Sequence, residues 1–195
     1  MSRLLPTLAG VALLAVSARA RADTWQIDPV HSAAQFSVRH MGISTVRGAF
    51  TKLSGSVQYD AADPSRSSID VTIDASSVDT RVTMRDNDLR SPNFFDVAKY
   101  PTLTFKSKRV EPAGKGMLKV VGDLTIHGVT KEVTLEVEGP SAPMQDPRGN
   151  THMGASATAR ISRKDFGVSG AAMMVADEVA ITIDVELMKP AVVSH

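Results

Sequence analysis

The feature that most constrains the fold of this chain is a two-residue alternation of apolar and polar side chains. Five runs follow this pattern, at residues 69–73, 103–105, 118–126, 133–137 and 179–187. Successive side chains of an extended strand point to opposite faces, so each run has one apolar face and one polar face. Such strands are typical of antiparallel sheets that cover a core on one side. The sequence therefore predicts an all-β protein with about eight to ten strands.

Turn-forming residues separate the runs. His127 and Gly128 stand between two apolar-periodic segments, which predicts a tight hairpin because glycine and its neighbour must tolerate positive φ. Gly122 interrupts another run, where we expect a bulge or bend. Residues 139–149 contain three prolines, and we interpret them as a surface loop within one domain.

One segment, Thr83 to Asp96, loses the alternation. Its residues 84–90 favour a helix that Pro92 would end. Phe94, Phe95, Tyr100 and Phe105, which lie in or near this segment, are four of the nine aromatic residues of the chain. We interpret the segment as a short helical lid that places aromatic rings across the mouth of a barrel.

Closure of about eight antiparallel strands into a barrel would remove exposed sheet edges. Such a barrel is either filled by its own side chains or holds one small ligand. Ala155, Ala157 and Ala159 lie on one face of a strand, and Gly122 is assigned to the inner face of another. These small residues favour a cavity, although thin strands packed beneath a lid would have the same composition.

The first 22 residues are interpreted as a secretory signal. Arg3 precedes an apolar run from Leu4 to Val16, and residues 20–22 fit an A-x-A cleavage site before Asp23. The run is shorter than the roughly 20 residues of a membrane-spanning helix. The expected organisation is thus a leader at 1–22, cleaved after residue 22, and one periplasmic domain at 23–195.

Charge and cysteine usage exclude several functions. Without the three arginines of the leader, 19 basic residues face 21 acidic ones, so neither nucleic-acid binding nor stable membrane insertion is expected. The chain has no cysteine, which removes thiolate metal centres, cysteine nucleophiles and a lipid anchor on a thiol.

Histidine and serine offer only weak signs of a catalytic or metal site. Ser32 follows His31, but no G-x-S-x-G, G-x-G-x-x-G or P-loop motif is present. His31 and His40 could bind a metal with His127 or His152, yet no pair has the close spacing of a metal motif. We expect no enzyme activity, no metal and no cofactor.

Three separated blocks resemble the YceI-like family. They are RDNDLRSPNFFD (85–96) continuing to KYPTLTF (99–105), then GDLTIHGVTK (122–131), and an opening with DPVHS (28–32), FSVRHMG (36–42) and GAF (48–50). The resemblance implies a lipocalin-like antiparallel barrel that binds a polyisoprenoid or similar long amphiphile, commonly in the periplasm and often as a dimer. Asp88 stands where the family usually has His, and Asn93 where it often has Asp, so the preferred head group is open.

Two sets of residues are candidates for the lipid site. The head-group candidates are polar residues that could contact a diphosphate or similar group, for which arginine suits two oxygens at once: His31, Arg39, His40, Arg85 and Asp86. For Arg85 and Asp86 the alternative is a structural pair at the helix start. The tail candidates are inward-facing apolar residues: Phe36, Val38, Phe50, Val57, Ile69, Val71, Ile73, Met84, Leu89, Phe94, Phe95, Leu103, Phe105, Leu118, Val120 and Leu124.

The expected function is that of an exported, non-enzymatic protein that holds a polyisoprenoid or related lipid for transport, storage or stress response. Ordinary core packing is the alternative for any single tail candidate. At the level of function, the alternatives are a hydrolase or metal-binding enzyme acting at the barrel mouth, and an interaction protein with a solid core.

Overall fold

A computed structural model describes residues 22–191 of the chain. All but the last residue of the predicted leader therefore lies outside the described residues. One α-helix, α1, spans Thr83–Arg90. The strands are β1 (Asp23–Ile27), β2 (Ala33–His40), β3 (Ser44–Phe50), β4 (Leu53–Tyr59), β5 (Ser68–Asp74), β6 (Val78–Asp79), β7 (Thr102–Pro112), β8 (Met117–Ile126), β9 (Val129–Glu138), β10 (Met144–Gln145), β11 (Thr151–Ser162) and β12 (Val175–Lys189).

Eight strands close into an antiparallel barrel. The ring runs β1-β4-β5-β7-β8-β9-β11-β12 and returns to β1. The predicted all-β barrel of about eight strands is thus confirmed. The described residues contain more strands than predicted because β6 and β10 have only two residues each, and segments so short carry no visible alternation.

The strands β1 and β2 share one edge of β12. β1 pairs with residues 187–188 of β12, whereas β2 pairs with residues 175–184. The chain therefore leaves the ring at the bend of residues 28–32, and β2, β3 and β6 continue along the barrel as a side branch. The branch leads into α1, so we call the barrel end near α1 the helix end, and the opposite end the terminal end.

The predicted hairpin at residues 127–128 is confirmed. His127 and Gly128 have φ values of 53° and 75° and connect the paired residues Ile126 and Val129. A Cβ on Gly128 would lie 2.4 Å from the ring of Tyr100. Glycine is therefore needed here both for its backbone conformation and for the close approach of the ring.

The bulge expected at Gly122 lies instead in the partner strand. Gly122 stays paired with Ser107, and the register shifts on β7 between Ser107 and Arg109. A Cβ on Gly122 would lie 2.6 Å from the ring of Phe105. The glycine thus makes room for an aromatic ring, while Lys108 is the extra residue in the ladder.

The predicted helix is confirmed, and the chain after it covers the helix end of the barrel. The helix ends at Arg90, and the amide of the capping residue Ser91 donates to Asp88 O, just before Pro92. Phe94 is buried in a cluster with Phe50 and Phe166. Burial of one large apolar side chain contributes about 1.5–3 kcal/mol, so this cluster fixes the segment that follows α1 against the barrel.

Candidate functional site

The barrel contains an apolar cavity of about 250 Å³. One water needs roughly 10–15 Å³ by the same measure, so the space is about twenty times larger than a single hydration site. Side chains from the closed strands, from β2 and from the segment after α1 line it. The small inward residues Ala155 and Ala157 are on its wall, as the sequence indicates for an underfilled barrel.

Apolar side chains of β12 show that the interior is incompletely packed. Ile181, Ile183 and Val185 all line the cavity, and each is only half-buried. An inward-facing residue in a filled barrel would be fully covered by its neighbours across the core. Each Å² of such surface covered by a ligand contributes roughly 25 cal/mol, so the wall can bind an apolar molecule.

Most of the sequence-predicted tail residues lie together on this wall. Fifteen of the sixteen candidates line the cavity: Phe36, Val38, Phe50, Val57, Ile69, Val71, Ile73, Leu89, Phe94, Phe95, Leu103, Phe105, Leu118, Val120 and Leu124. Their contact with a lipid stays a prediction. The exception is Met84, which is 82% exposed. It occupies the first turn of α1, and the apolar contact of this region with the cavity comes from Leu89 and the phenylalanines beyond it.

Aromatic rings close the helix end of the cavity. The centroids of Phe36 and Phe50 are 5.8 Å apart, and those of Phe50 and Phe95 are 5.5 Å apart in an edge-on arrangement. Gly48 permits this packing, because a Cβ there would lie 2.5 Å from the Phe36 ring. The gathering of rings predicted for the lid thus includes Phe36 and Phe50 from the side branch.

The head-group candidates are not brought together. None of the five lines the cavity. Arg85 donates to the hydroxyl and carbonyl oxygens of Thr80, and the carboxylate of Asp86 accepts from the amide and hydroxyl of the same threonine. These two residues therefore form the structural pair that was the alternative, and they fix the loop between β6 and α1.

The other three head-group candidates also lie away from the cavity. Arg39 donates to Thr45 Oγ1 and to the carbonyl of Gly42, so it stabilises the turn between β2 and β3. His40 ends β2 opposite Ser44. His31 is 61% exposed on the bend between β1 and β2. None of these three residues lines the cavity, and a contact of any of them with a lipid head group stays a prediction.

His31 belongs to a polar cluster that includes Glu186 of β12. Its Nδ1 lies 2.8 Å from Asp28 Oδ2 and 3.9 Å from Glu186 Oε1. The hydrogen bond to Asp28 raises the pKa of His31. His152 Nδ1 lies 2.8 Å from the same Glu186 oxygen, and its Nε2 lies 3.3 Å from Asp146.

Among the described residues, this cluster is where a cation would find ligands. One ligand atom each from Asp28, His31 and Glu186 lie within 4.8 Å of one another. Another histidine considered from the sequence, His127, packs against Tyr100, with the centroids of the two rings 4.6 Å apart. The cluster is formed by hydrogen bonds among its own members, and none of them lines the apolar cavity.

The adjacency of Ser32 and His31 does not make a nucleophile. The Ser32 hydroxyl accepts from the amide of Glu186 and contacts its carbonyl at 3.4 Å. These bonds tie the β1–β2 bend to β12, and His31 is directed to Asp28 instead. The geometry is that of a structural corner.

Arg163 is a cavity-lining residue that sequence reasoning missed. It is 6% exposed, and its guanidinium donates to backbone carbonyls of Val168, Gly170, Val175 and Ala176. Burial lowers its pKa. The flanking sequence carries no sign of this role, since the four acceptors are main-chain atoms. Its effect is to hold the loop before β12 on the helix end.

The wall residues of β9, β11 and β12 were also absent from the site prediction. Their apolar faces follow from the same alternation as the tail candidates, but the set of site residues does not include them. Val137, Ala157 and Ile183 line the cavity, and in the barrel they occupy neighbouring strands at matched register.

The fold and the cavity define a class: a small closed antiparallel barrel with an apolar interior space, the arrangement of ligand-binding barrels. The YceI-like domain matches residues 25–187. The chain belongs to the YceI-like family, as its sequence blocks indicated. No helix in residues 22–191 is long and apolar enough to cross a membrane.

Relatives and solved structures agree with this assignment. A UPF0312 protein of Vibrio cholerae is 38% identical over 170 residues, covering 86% of this chain and 89% of the relative. Burkholderia cenocepacia BcnA is 29% identical with a TM-score of 0.72, covering 82% of this chain and 98% of that one. The Campylobacter jejuni YCEI protein is 33% identical with a TM-score of 0.69, covering 77% and 89%.

A more distant structure, described as a polyisoprenoid binding domain from Saccharophagus degradans, is 18% identical with a TM-score of 0.63. It covers 85% of this chain and 98% of that one. At this identity the likeness concerns the fold.

Proposed function

We propose that this protein is a non-enzymatic binding protein that holds a polyisoprenoid or related long-chain lipid inside its barrel. The observation that carries the proposal is the apolar cavity with half-buried wall residues from β12. Polar atoms are scarce on this wall, so the favoured ligand is one whose buried part needs no hydrogen bonds. A long hydrocarbon chain meets that requirement better than a sugar, nucleotide or peptide.

The energetics of chain burial support a lipid. Each buried methylene contributes about 0.8 kcal/mol, so about fifteen buried carbons supply a gross contribution of ~12 kcal/mol, the scale of nanomolar binding. Ordering a flexible chain offsets part of this. Affinity therefore needs only the apolar wall, and a head group can remain at the surface.

A distant relative in fold supports the choice of lipid class. The Saccharophagus degradans domain is described as polyisoprenoid binding, and it shares the barrel architecture. An unbranched or saturated lipid would fit the same physical argument, which is why the ligand is proposed as a polyisoprenoid or related amphiphile.

The absence of enzyme activity is part of the proposal. Across residues 22–191, the cavity wall carries no histidine and no carboxylate. Arg163 is the charged residue that lines the cavity, and its donors are directed to backbone carbonyls. General acid–base chemistry is carried most often by histidine or a carboxylate within hydrogen-bond reach of the substrate, and the described wall offers neither.

Export to the periplasm is likewise proposed, with cleavage after residue 22. The apolar leader and the A-x-A pattern support it, and β1 begins at Asp23, so cleavage there would leave the barrel whole. Expression of the full chain in a Gram-negative host, followed by fractionation and N-terminal sequencing, should give a periplasmic protein that starts at Asp23. A cytoplasmic protein that retains residues 1–22 would contradict this part of the proposal.

Native mass spectrometry of the mature protein, followed by organic extraction and lipid analysis, tests the ligand. We expect a mass increment that corresponds to a prenyl lipid, or uptake of a polyprenol added to the emptied protein. The same spectra give the oligomeric state, for which a homodimer is proposed. A protein that is empty as purified and takes up no prenyl lipid in titration would refute the proposed function.

A further inference from the structure

We infer that the helix end of the barrel carries a membrane-docking tip, which places the cavity against a lipid bilayer with anionic head groups. The tip consists of the β2–β3 turn, residues 41–43, and the loop before β12, residues 171–174. This inference rests on the proposed function, since it names the surface from which the lipid is taken or to which it is delivered.

Large apolar side chains are exposed mainly at this end. Ile43 is 77% exposed, Met41 59%, Met173 100% and Met174 50%. Val82 and Met84 are exposed too, and they lie towards the same end because β6 runs antiparallel to β3 and leads back towards the β2–β3 turn. Within residues 22–191, six of the eight large exposed hydrophobic residues are thus at one end. Single exposed apolar residues are ordinary, but a group of this size marks an interaction surface.

The two segments of the tip form one unit. The amide of Met41 donates to the carbonyl of Met174 at 2.7 Å, and His40 pairs with Val175 in the sheet. The side chains of the turn and of the loop are therefore displayed next to each other. Flexible, unbranched methionine side chains can pack against an irregular partner such as acyl chains.

The charge around the tip favours anionic head groups. The β2–β3 hairpin, residues 33–50, contains Arg39 and Arg47 but no aspartate or glutamate, although the mature chain is acidic overall. Arg39 and Arg47 lie on the same face of the β2–β3 hairpin, and Arg39 is held at the turn by its bond to the Gly42 carbonyl. Residues 166–176 carry no charge. The acidic residues that follow them are already bonded, Asp177 to Ser162 and Lys164 and Glu178 to Arg160. An apolar tip flanked by cations binds a bilayer surface through burial of its apolar side chains and through attraction of its cations to anionic lipids.

The tip is physically connected to the cavity. The loop that displays Met173 is held by Arg163, whose guanidinium bonds the carbonyls of Val168, Gly170 and Val175. Val168 and Val175 line the cavity wall. Gly170 lies against Phe94, where a Cβ would be 2.9 Å from the ring. Movement of the loop at a membrane would therefore act directly on the aromatic residues that cover the helix end.

Vesicle flotation of the mature protein tests the inference. We expect flotation with vesicles of phosphatidylcholine mixed with phosphatidylglycerol, weaker flotation with phosphatidylcholine alone, and loss of the difference in high salt. The double variant Ile43→Asp, Met173→Asp should reduce vesicle affinity about tenfold or more, since each change replaces an inserting side chain with a charge. The matched control is Met144→Asp, because Met144 is 71% exposed in β10 at the terminal end.

Assays of lipid uptake distinguish the role of the tip from that of the cavity. The double variant should take up polyprenol from vesicles more slowly than the wild type but take up polyprenol added in dilute ethanol at the same rate, with an unchanged melting temperature. Failure of the wild type to float, or equal flotation of the double variant, would refute the membrane-docking tip. The proposed lipid ligand of the cavity is tested separately by native mass spectrometry. Flotation by a protein that holds no lipid would support the tip and refute the proposed function. A change in oligomeric state in the double variant, without vesicle binding by the wild type, would show that the tip binds a second copy of the chain instead.

Discussion

Filling the cavity from inside distinguishes a lipid carrier from a solid barrel. Ala157 lies in β11 opposite Ile183 and lines the cavity, whereas the next residue, Thr158, points outward and is exposed. We expect Ala157→Phe to place a phenyl ring in the space that a lipid chain would occupy. The variant Thr158→Phe adds the same ring to the outer face and serves as the matched control.

The size of the effect follows from the carbons displaced. A phenyl ring occupies space for about six ligand carbons, and at ~0.8 kcal/mol per methylene the loss is at most about 5 kcal/mol. One tenfold change in affinity corresponds to about 1.4 kcal/mol, so the upper bound is about three powers of ten. A flexible chain can take another path along the wall, and we therefore expect a loss between about tenfold and a thousandfold.

The stability of the lipid-free protein is an independent test of whether the barrel has a cavity or a solid core. In a solid barrel, overpacking with a phenyl ring costs about 1–3 kcal/mol, and each kcal/mol lowers the melting temperature of a domain of this size by about 2–4 °C. In a barrel with a cavity the ring fills open space, so the melting temperature of the emptied protein should stay level or rise.

Polyprenol titration monitored by native mass spectrometry, together with calorimetry of the emptied protein, measures both quantities. A variant Ala157→Phe that binds lipid as tightly as the wild type would refute the assignment of the cavity as the lipid site. A melting temperature reduced by several degrees in Ala157→Phe but not in Thr158→Phe would show that the interior is already filled.

Three further predictions concern stability and pH. Asp86→Ala leaves the amide of Thr80 without its buried acceptor and should lower the free energy of unfolding by about 2–3 kcal/mol in urea titration. Arg163→Met removes the donors that hold the loop before β12, so hydrogen exchange of that loop should accelerate at least tenfold while β7 and β8 stay protected. The hydrogen bond to Asp28 raises the pKa of His31 above 6.5. The contribution of protonated His31 to folding stability is therefore fully present below pH 6.5 and is lost as the pH rises through the raised pKa. Melting temperatures of the wild type should show this loss, and those of His31→Gln should not.

Controls make each of these outcomes decisive. Asp70→Ala, at an exposed position of β5, should leave the unfolding free energy within about 0.5 kcal/mol, and an equal loss in both variants would contradict the role of Asp86. Uniform acceleration of exchange in Arg163→Met would indicate global destabilisation. An identical pH dependence of melting in His31→Gln and the wild type would show that another group is responsible.

Alternation was enough to predict the strands and the closed barrel. Strand geometry is local, so Ile69, Val71 and Ile73 reveal their common face from sequence spacing alone. The same local logic located α1 and the hairpin at His127 and Gly128. Because inward apolar residues of a barrel all face one space, fifteen of the sixteen tail candidates reached the cavity wall.

Other predictions needed information that spacing does not contain. Met84 has the chemistry of a tail contact, but the orientation of α1 relative to the barrel decides its exposure. The bulge at Lys108 and the approach of the Phe105 ring to Gly122 both arise between paired strands, and the spacing within one strand does not reveal them.

The roles of the polar residues depend on the three-dimensional structure, whereas the strands and the apolar interior follow from local sequence patterns. By itself, the sequence determined an all-β barrel with an apolar interior, since side-chain periodicity and hydrophobicity act residue by residue. Only the tertiary structure decided that Arg85 and Asp86 bind Thr80, that His31 meets Glu186, and that Arg163 lies at the cavity. A polar side chain takes its role from its hydrogen-bond partners, and in this fold those partners are set by which strands close the barrel.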